Sequence, residues 1–190
     1  MQQPLGSAFY NRSAALVAPD LLGQALVVNT PNGFDGGWIV ETEAYLQDDP
    51  ASHSFRGRTE RCRSMFGPPG TAYVYLIYGI HHCVNAVCQA VGIGEAVLIR
   101  ALEAFQDSDK RNLIGPGRIC SSLKIDRTMD GLDLCNGQSA IQILSNPALE
   151  NFLKRWGAIQ RSPRIGISKA REKPLRFSFK AQGPRDKNAW

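Results

Sequence analysis

Glu41, Glu43 and Tyr45 stand at alternate positions in the run W-I-V-E-T-E-A-Y, residues 38–45. Alternate residues of a strand share a face, so this spacing sets two carboxylates and a phenol in one row. Val40, Thr42 and Ala44, small and branched, take the opposite face, as a core face would. The acidic row has two readings. One is a strand face turned to water. The other is a site in which one carboxylate does acid/base work beside a flat aromatic surface, at the cost of burying charge. Further along, His53 is followed by Tyr73, Tyr75 and Tyr78 in an aromatic-rich run, and Arg100 interrupts an apolar one. An arginine there needs a carboxylate or phosphate partner, and Glu41 or Glu43 could serve. Arg56, Arg58, Arg61 and Arg63 cluster with only Glu60 to offset them. Carboxylate, flat rings and basic residues together fit chemistry that removes a base from nucleic acid. A base must leave the duplex to be handled, stacked rings would hold it, and an aromatic at a hairpin tip could fill the place it leaves.

Other chemistries find less support. Neither G-x-G-x-x-G nor G-x-x-x-x-G-K-[ST] occurs, and there is no G-x-S-x-G. Gly115-Pro116-Gly117 before a helix could meet a phosphate or could be a plain turn. His81, His82 and Cys83 are consecutive, so in a strand they point to opposite faces and cannot chelate one ion together. No metal and no cofactor is expected. The five cysteines are odd in number and show no C-x-x-C, which argues for reduced thiols rather than disulfides or zinc.

The elements that must position these residues are mainly strands. Residues 11–22 read as a helix or two helical turns, with Ser13 as N-cap and Pro19 as a breaker. Residues 24–29 form a strand, Asn32-Gly33 a turn, and the acidic strand follows from Trp38. Residues 46–70 read as a long loop with a short helix over 61–66. A hairpin comes next, with strands at 71–78 and 82–89 and Tyr78 at its tip beside Gly79. A strand covers 95–102, a helix 116–125, a strand 140–144 and a short helix 151–156. Residues 164–168 and 175–179 are predicted strands, and the tail from Lys180 is polar, basic and frayed. Strands joined by short turns predict an α+β domain with a mainly antiparallel sheet.

A chain of 190 residues is read as one domain. Its net charge of +5 and pI of about 9.1 favour a polyanionic partner. No apolar run nears the roughly 20 residues that span a bilayer, and the first residues lack a signal-peptide pattern. The expectation is a protein of the cytoplasm or nucleoid (nuclear if eukaryotic), without a membrane partner and monomeric by default.

An ordered set of segments then resembles the alkyladenine (3-methyladenine, methylpurine) DNA glycosylase family. The segments are V-E-T-E-A-Y (40–45), H-S (53–54), M-F-G-P-P-G-T-A-Y-V-Y-L-I-Y-G (65–79), Asn85, V-L-I-R-A-L-E (97–103), G-P-G-R-I-C-S-S-L-K-I (115–125), R-I-G-I (164–167) and K-P-L-R-F (173–177). They run in order over about 21–179. The resemblance implies a single-domain α+β fold with a curved antiparallel sheet and a hairpin that enters the DNA minor groove. It also implies excision of alkylated or deaminated purines, such as 3-methyladenine, ethenoadenine and hypoxanthine, from double-stranded DNA. By the same resemblance Glu43 activates water for attack on the sugar, and Arg100 lies beside that water. Tyr45, His53 and Tyr75 sandwich the flipped base, Asn85 rejects the amino group of guanine, and Tyr78 is the wedge. Arg56, Arg58, Arg61 and Arg63 are candidates for backbone contact. A monofunctional enzyme is expected, because a lyase needs an amine nucleophile and no lysine lies between Trp38 and Arg100.

The chain departs from the family pattern in places. The segment 103–115 is short, Cys62 stands where asparagine is common, and His81 and His82 follow the wedge turn where apolar or aromatic residues are usual. Glu41 is expected to support structure by pairing with an arginine. Two competing readings are a non-catalytic or RNA-directed nucleic-acid-binding protein on the same fold, and a small hydrolase using the Glu41/Glu43 pair. The first has no need of a base, and the second does not use the basic loop.

Overall fold

The computed structural model describes residues 2–105 and 111–180. Two short helices open the chain, α1 (Ser7–Tyr10) and α2 (Ala14–Asp20). The Ser13 hydroxyl accepts from the Ala15 N–H at 3.4 Å, as expected of an N-cap, and Pro19 is tolerated in the last turn of α2. Strands β1 (Ala25–Thr30) and β2 (Gly33–Tyr45) form the first hairpin. After a long loop, a 3₁₀ helix covers Glu60–Phe66. The Cys62 thiol there lies 3.2 Å from the Thr59 hydroxyl and accepts from the Thr59 N–H, closing the turn. Strands β3 (Ala72–Ile77), β4 (His81–Cys88) and β5 (Glu95–Ala104) follow as a meander. Helix α3 (Pro116–Ser122), strand β6 (Ile141–Leu144), helix α4 (Leu149–Trp156), and strands β7 (Ile159–Ser162) and β8 (Arg176–Phe179) follow among the described residues.

All strand pairings are antiparallel, in the order β3-β4-β5-β2-β1-β6. Strand β8 pairs with residues 41–43 of β2, beyond the part that β1 occupies, and β7 lies outside β8. Thus β2 is the long central strand of a curled antiparallel sheet, and the fold is α+β. Gly36 and Gly37 let it run between its neighbours, since a Cβ at either position would collide with the backbone of Leu26 or Glu103. Leu21, Leu26, Ile39, Val84, Ile99, Ile119, Ile143 and Phe177 form the middle of the main core.

Two irregularities in the pairing of β2 with β5 decide where the acids go. Ile39 opposes Leu102 and Glu41 opposes Ala101, so Val40 is an extra residue on β2. Thr42 then opposes Ile99, so Arg100 is an extra residue on β5. Such bulges bend a strand and re-aim its side chains. The outcome differs from a simple two-faced strand: Thr42, Ala44, Glu41 and Glu43 are all buried, whereas Val40 is partly exposed. The reading of a solvated acidic face is thereby excluded.

Two other expectations are corrected. Residues 164–168 are not a strand; the strand lies earlier, at β7, and the segment is irregular because its polar groups bond to side chains of the site. Helix α3 stops at Ser122 rather than at 125. Lys124 adopts a φ of 55°, and the Ile125 N–H returns to the Cys120 carbonyl at 2.8 Å, a closing turn usually marked by glycine. The expected frayed tail and part of the short 103–115 segment lie outside the described residues.

Candidate active site

Arg100, at its bulge, meets both carboxylates. Its Nε donates to Glu41 Oε1 at 2.9 Å and lies 3.3 Å from Glu43 Oε1, while its Nη1 donates to Glu43 Oε2 at 3.4 Å. Arg176 on β8 donates a second Nε–H to Glu41 Oε1 at 2.6 Å. Glu43 also accepts the Ile165 N–H on Oε1 at 2.8 Å and the Tyr45 hydroxyl on Oε2 at 2.9 Å. Glu41 is thus clamped between two arginines, whereas Glu43 shares one arginine with a backbone amide and a phenol. Burial raises the Glu43 carboxyl above the usual carboxylate range; Arg100, the Ile165 N–H and Tyr45 pull it down without cancelling that rise, and Glu41 adds to it. For Arg100, burial opposes the charge, but Glu43 and Glu41 outweigh it and hold the guanidinium ionised.

A cleft of about 600 Å³ opens above this cluster. Tyr45, His53, Tyr75, Asn85 and Arg100 line it, together with Tyr73, Tyr78, Cys83 and the loop 165–169. Glu43 does not reach the lining; it sits behind Tyr45 and Arg100 with 0% exposure. The rings form an ordered wall. His53 packs edge-on to Tyr75 with centroids 4.6 Å apart, and Tyr75 stacks on Tyr73 at 5.2 Å. The Tyr73 hydroxyl lies 2.8 Å from His53 Nδ1 and fixes the imidazole. Burial, helped by the nearby Arg61 charge, lowers the His53 pKa and so favours the neutral ring. Asn85 on β4 is buried and donates to the Tyr73 carbonyl at 2.9 Å. Aromatic rings and a few polar groups make up much of the lining, and a flat ring with polar edges suits the space.

Tyr78 occupies the tip of the β3–β4 hairpin, 81% exposed, with a φ of 54° that is unusual for a side chain of that size. Ile80 beside it is also largely exposed. Arg56, Arg58, Arg61 and Arg63 are all exposed. Arg61 differs from the other three: its guanidinium stands 5.9 Å from the centre of the Tyr75 ring and its Nη2 reaches the Leu76 carbonyl at 3.4 Å. His81 lines the cleft beside Gly117.

The sequence reading assigned no individual role to several residues at the site. Tyr73 enters that reading only as one of the rings of the aromatic run. Arg176 and the Ile165 amide lie in the matched segments 173–177 and 164–167, which were the available signal. Arg164 and Asp49 form a fully buried ion pair behind Tyr45. Lys169, outside the stretch searched for lysines, stands exposed at the cleft rim.

A pocket of rings that includes an arginine and backs onto a buried carboxylate, beside an exposed aromatic hairpin tip, suits a class of protein that takes up one flat ring. The comparisons with known proteins narrow that class. The family model described as methylpurine-DNA glycosylase (MPG) matches residues 8–183, and the chain belongs to this family of DNA glycosylases. Relatives include proteins named "Putative 3-methyladenine DNA glycosylase". One, from Methanoculleus marisnigri, is 43% identical over 93% of this chain and 95% of its own length. One from Rhodopirellula baltica is 45% identical over 92% of this chain and 79% of its own, and one from Granulibacter bethesdensis is 47% identical over 89% and 81%. No helix among the described residues is long and apolar enough to cross a membrane.

Proposed function

We propose that this protein excises alkylated or deaminated purines from double-stranded DNA by hydrolysing the N-glycosidic bond, leaving an abasic site. The observation that carries the reading is that Arg100, which lines a cleft walled by Tyr45, His53 and Tyr75, holds Glu43 directly behind that cleft. In this scheme the damaged base leaves the duplex and enters the cleft, Tyr78 takes its place in the stack, and Asn85 rejects guanine by its bulk. An alkylated purine such as 3-methyladenine is cationic, so electron-rich rings attract it by about 0.5–2 kcal/mol per contact. It also leaves readily once the sugar begins to develop oxocarbenium character. A neutral His53 adds no repulsion to that charge.

Glu43 then takes a proton from the attacking water, an effect that typically gives about 10²–10⁴-fold. In the structure described here both of its oxygens are already occupied. Water gains access when Arg100 turns its Nη1, the longest of these contacts, away from Oε2 toward the water. Glu41 retains the Arg100 Nε as this happens, which gives the second carboxylate a structural part. Neutral lesions such as ethenoadenine and hypoxanthine need help at the leaving group; the Tyr75 hydroxyl, kept protonated by burial, is a hydrogen-bond donor within the cleft.

The reading is of a monofunctional enzyme. An amine nucleophile must be deprotonated by burial or by a neighbouring cation, and Lys169 is exposed at the rim. The test is product analysis on duplex oligonucleotides carrying ethenoadenine or hypoxanthine. Release of free base from an intact strand with an abasic site is expected, and borohydride should trap no covalent adduct. Trapping that disappears in Lys169→Ala would overturn the monofunctional assignment, and no base release from either duplex or from methylated DNA would overturn the activity.

A further inference from the structure

Tyr45, which lines the cleft, has a charged partner that does not. The Arg164 guanidinium carbon lies 4.6 Å from the centre of the Tyr45 ring, and the Arg164 side chain is 0% exposed. Its Nη1 donates to the Ala44 carbonyl at 2.9 Å and pairs with Asp49 Oδ2. Asp49, also fully buried, holds the Ala51 N–H at 3.0 Å on its other oxygen. Arg164 Nε and Nη2 meet no hydrogen-bond acceptor among the described residues. The guanidinium charge is therefore balanced from one side only, and the aromatic face is its other neighbour.

We infer that the buried Arg164–Asp49 pair tunes the Tyr45 ring and so sets the balance between cationic and neutral purines in the pocket. The inference rests on Tyr45 being a wall of that pocket, as proposed above. A ring's π-cloud attracts a cation through its quadrupole. A guanidinium against one face draws on that attraction and repels a second cation at the other face, whereas a neutral base is nearly indifferent to it. Asp49 offsets part of the Arg164 charge and thereby restores part of the pull on a cationic base. Low local dielectric makes these effects larger than they would be in water. Arg164 and Asp49 act through Tyr45 and do not touch the reacting atoms, so both are positioning residues. The same pair ties the 49–51 backbone, on the way to His53, to the strand end that carries Tyr45.

Two substitutions move the charge in opposite directions. Asp49→Asn leaves a lone cation behind the ring; the double variant Arg164→Met with Asp49→Asn removes both charges and buries no unpaired ion. The readout is the ratio of single-turnover rates for 3-methyladenine release from methylated duplex DNA and hypoxanthine release from an inosine-containing duplex. The ratio should fall about three- to tenfold in Asp49→Asn and rise by a similar factor in the double variant. A purely structural role would lower both rates together and leave the ratio fixed. If Asp49→Asn does not fold, the direction of the double variant alone decides the matter. An unchanged ratio in a folded variant overturns the inference, provided Tyr45→Ala lowers both rates. If Tyr45→Ala lowers neither, the pocket reading itself fails and this inference falls with it.

Discussion

Glu43 is a carboxylate placed where its charge is least welcome and then partly rescued. Burial lifts its pKa, and Arg100, the Ile165 amide and Tyr45 recover only part of the loss. A group whose folded pKa exceeds its unfolded one binds a proton more tightly in the native state. It therefore contributes stability at acidic pH that is lost as pH rises from the ordinary carboxylate range through the raised value. Glu43→Gln removes this liability, so the difference in melting temperature, variant minus wild type, should grow in favour of the variant as pH is raised from about 4 to 7. A difference that is flat or shrinks with pH would contradict the raised pKa. Tyr73→Phe tests the other wall: losing its bond to His53 should cost about 1 kcal/mol of stability or less, yet slow excision several-fold by freeing the imidazole. An unchanged rate would count against an ordering role. Alternation in 38–45 made the acids and Tyr45 legible from sequence, and the need of Arg100 for a carboxylate was legible too. The second arginine on Glu41, the amide on Glu43 and the pair behind Tyr45 were not, because their partners lie more than a hundred residues away and spacing carries no record of such contacts.

At the scale of elements, the hairpin β3–β4 and the bulged pair β2–β5 carry the design. Tyr78 holds a left-handed backbone next to Gly79, whose φ is 73°. That conformation costs a non-glycine residue about 1–2 kcal/mol, and the ring gains nothing by burial. Tyr78→Gly should therefore raise stability by about 1 kcal/mol and still weaken binding to a lesion-containing duplex more than binding to a single strand. A variant that binds both equally well would remove the wedge role. The hairpin was legible because aromatic and branched residues flank a single glycine turn. Residues 164–168 misled for a physical reason: they look like a strand, but the Arg164 side chain and the Ile165 amide are claimed by Asp49, Ala44 and Glu43 instead of a ladder. The bulges at Val40 and Arg100 left no mark in composition, although they turn both acids inward.

Across the whole molecule, the net charge of +5 is spent unevenly. Arg100, Arg164 and Arg176 serve buried acids, whereas Arg56, Arg58 and Arg63 stay exposed on the loop before β3. Each exposed arginine that contacts a phosphate should add about 0.9 to the slope of log affinity against log salt. Arg56→Ala, Arg58→Ala and Arg63→Ala are expected to weaken damaged and undamaged duplex alike and to flatten that slope. Arg61→Ala should reduce affinity for the lesion duplex preferentially, since its guanidinium leans on Tyr75. Equal losses on both duplexes for all four would show that Arg61 is only another backbone contact. The fold class and the polyanionic partner could be read from composition and strand pattern; the division between buried and exposed arginines required the fold.

In the proposed mechanism Glu43 does the chemistry while the rings and Arg100 do the holding. Single-turnover excision of ethenoadenine from a duplex, measured beside equilibrium binding to the same duplex, separates these roles for Glu43→Gln. Base release should fall by at least about a hundredfold with duplex affinity within a few-fold of wild type. Excision at the wild-type rate by a folded Glu43→Gln protein would contradict the assignment of the base.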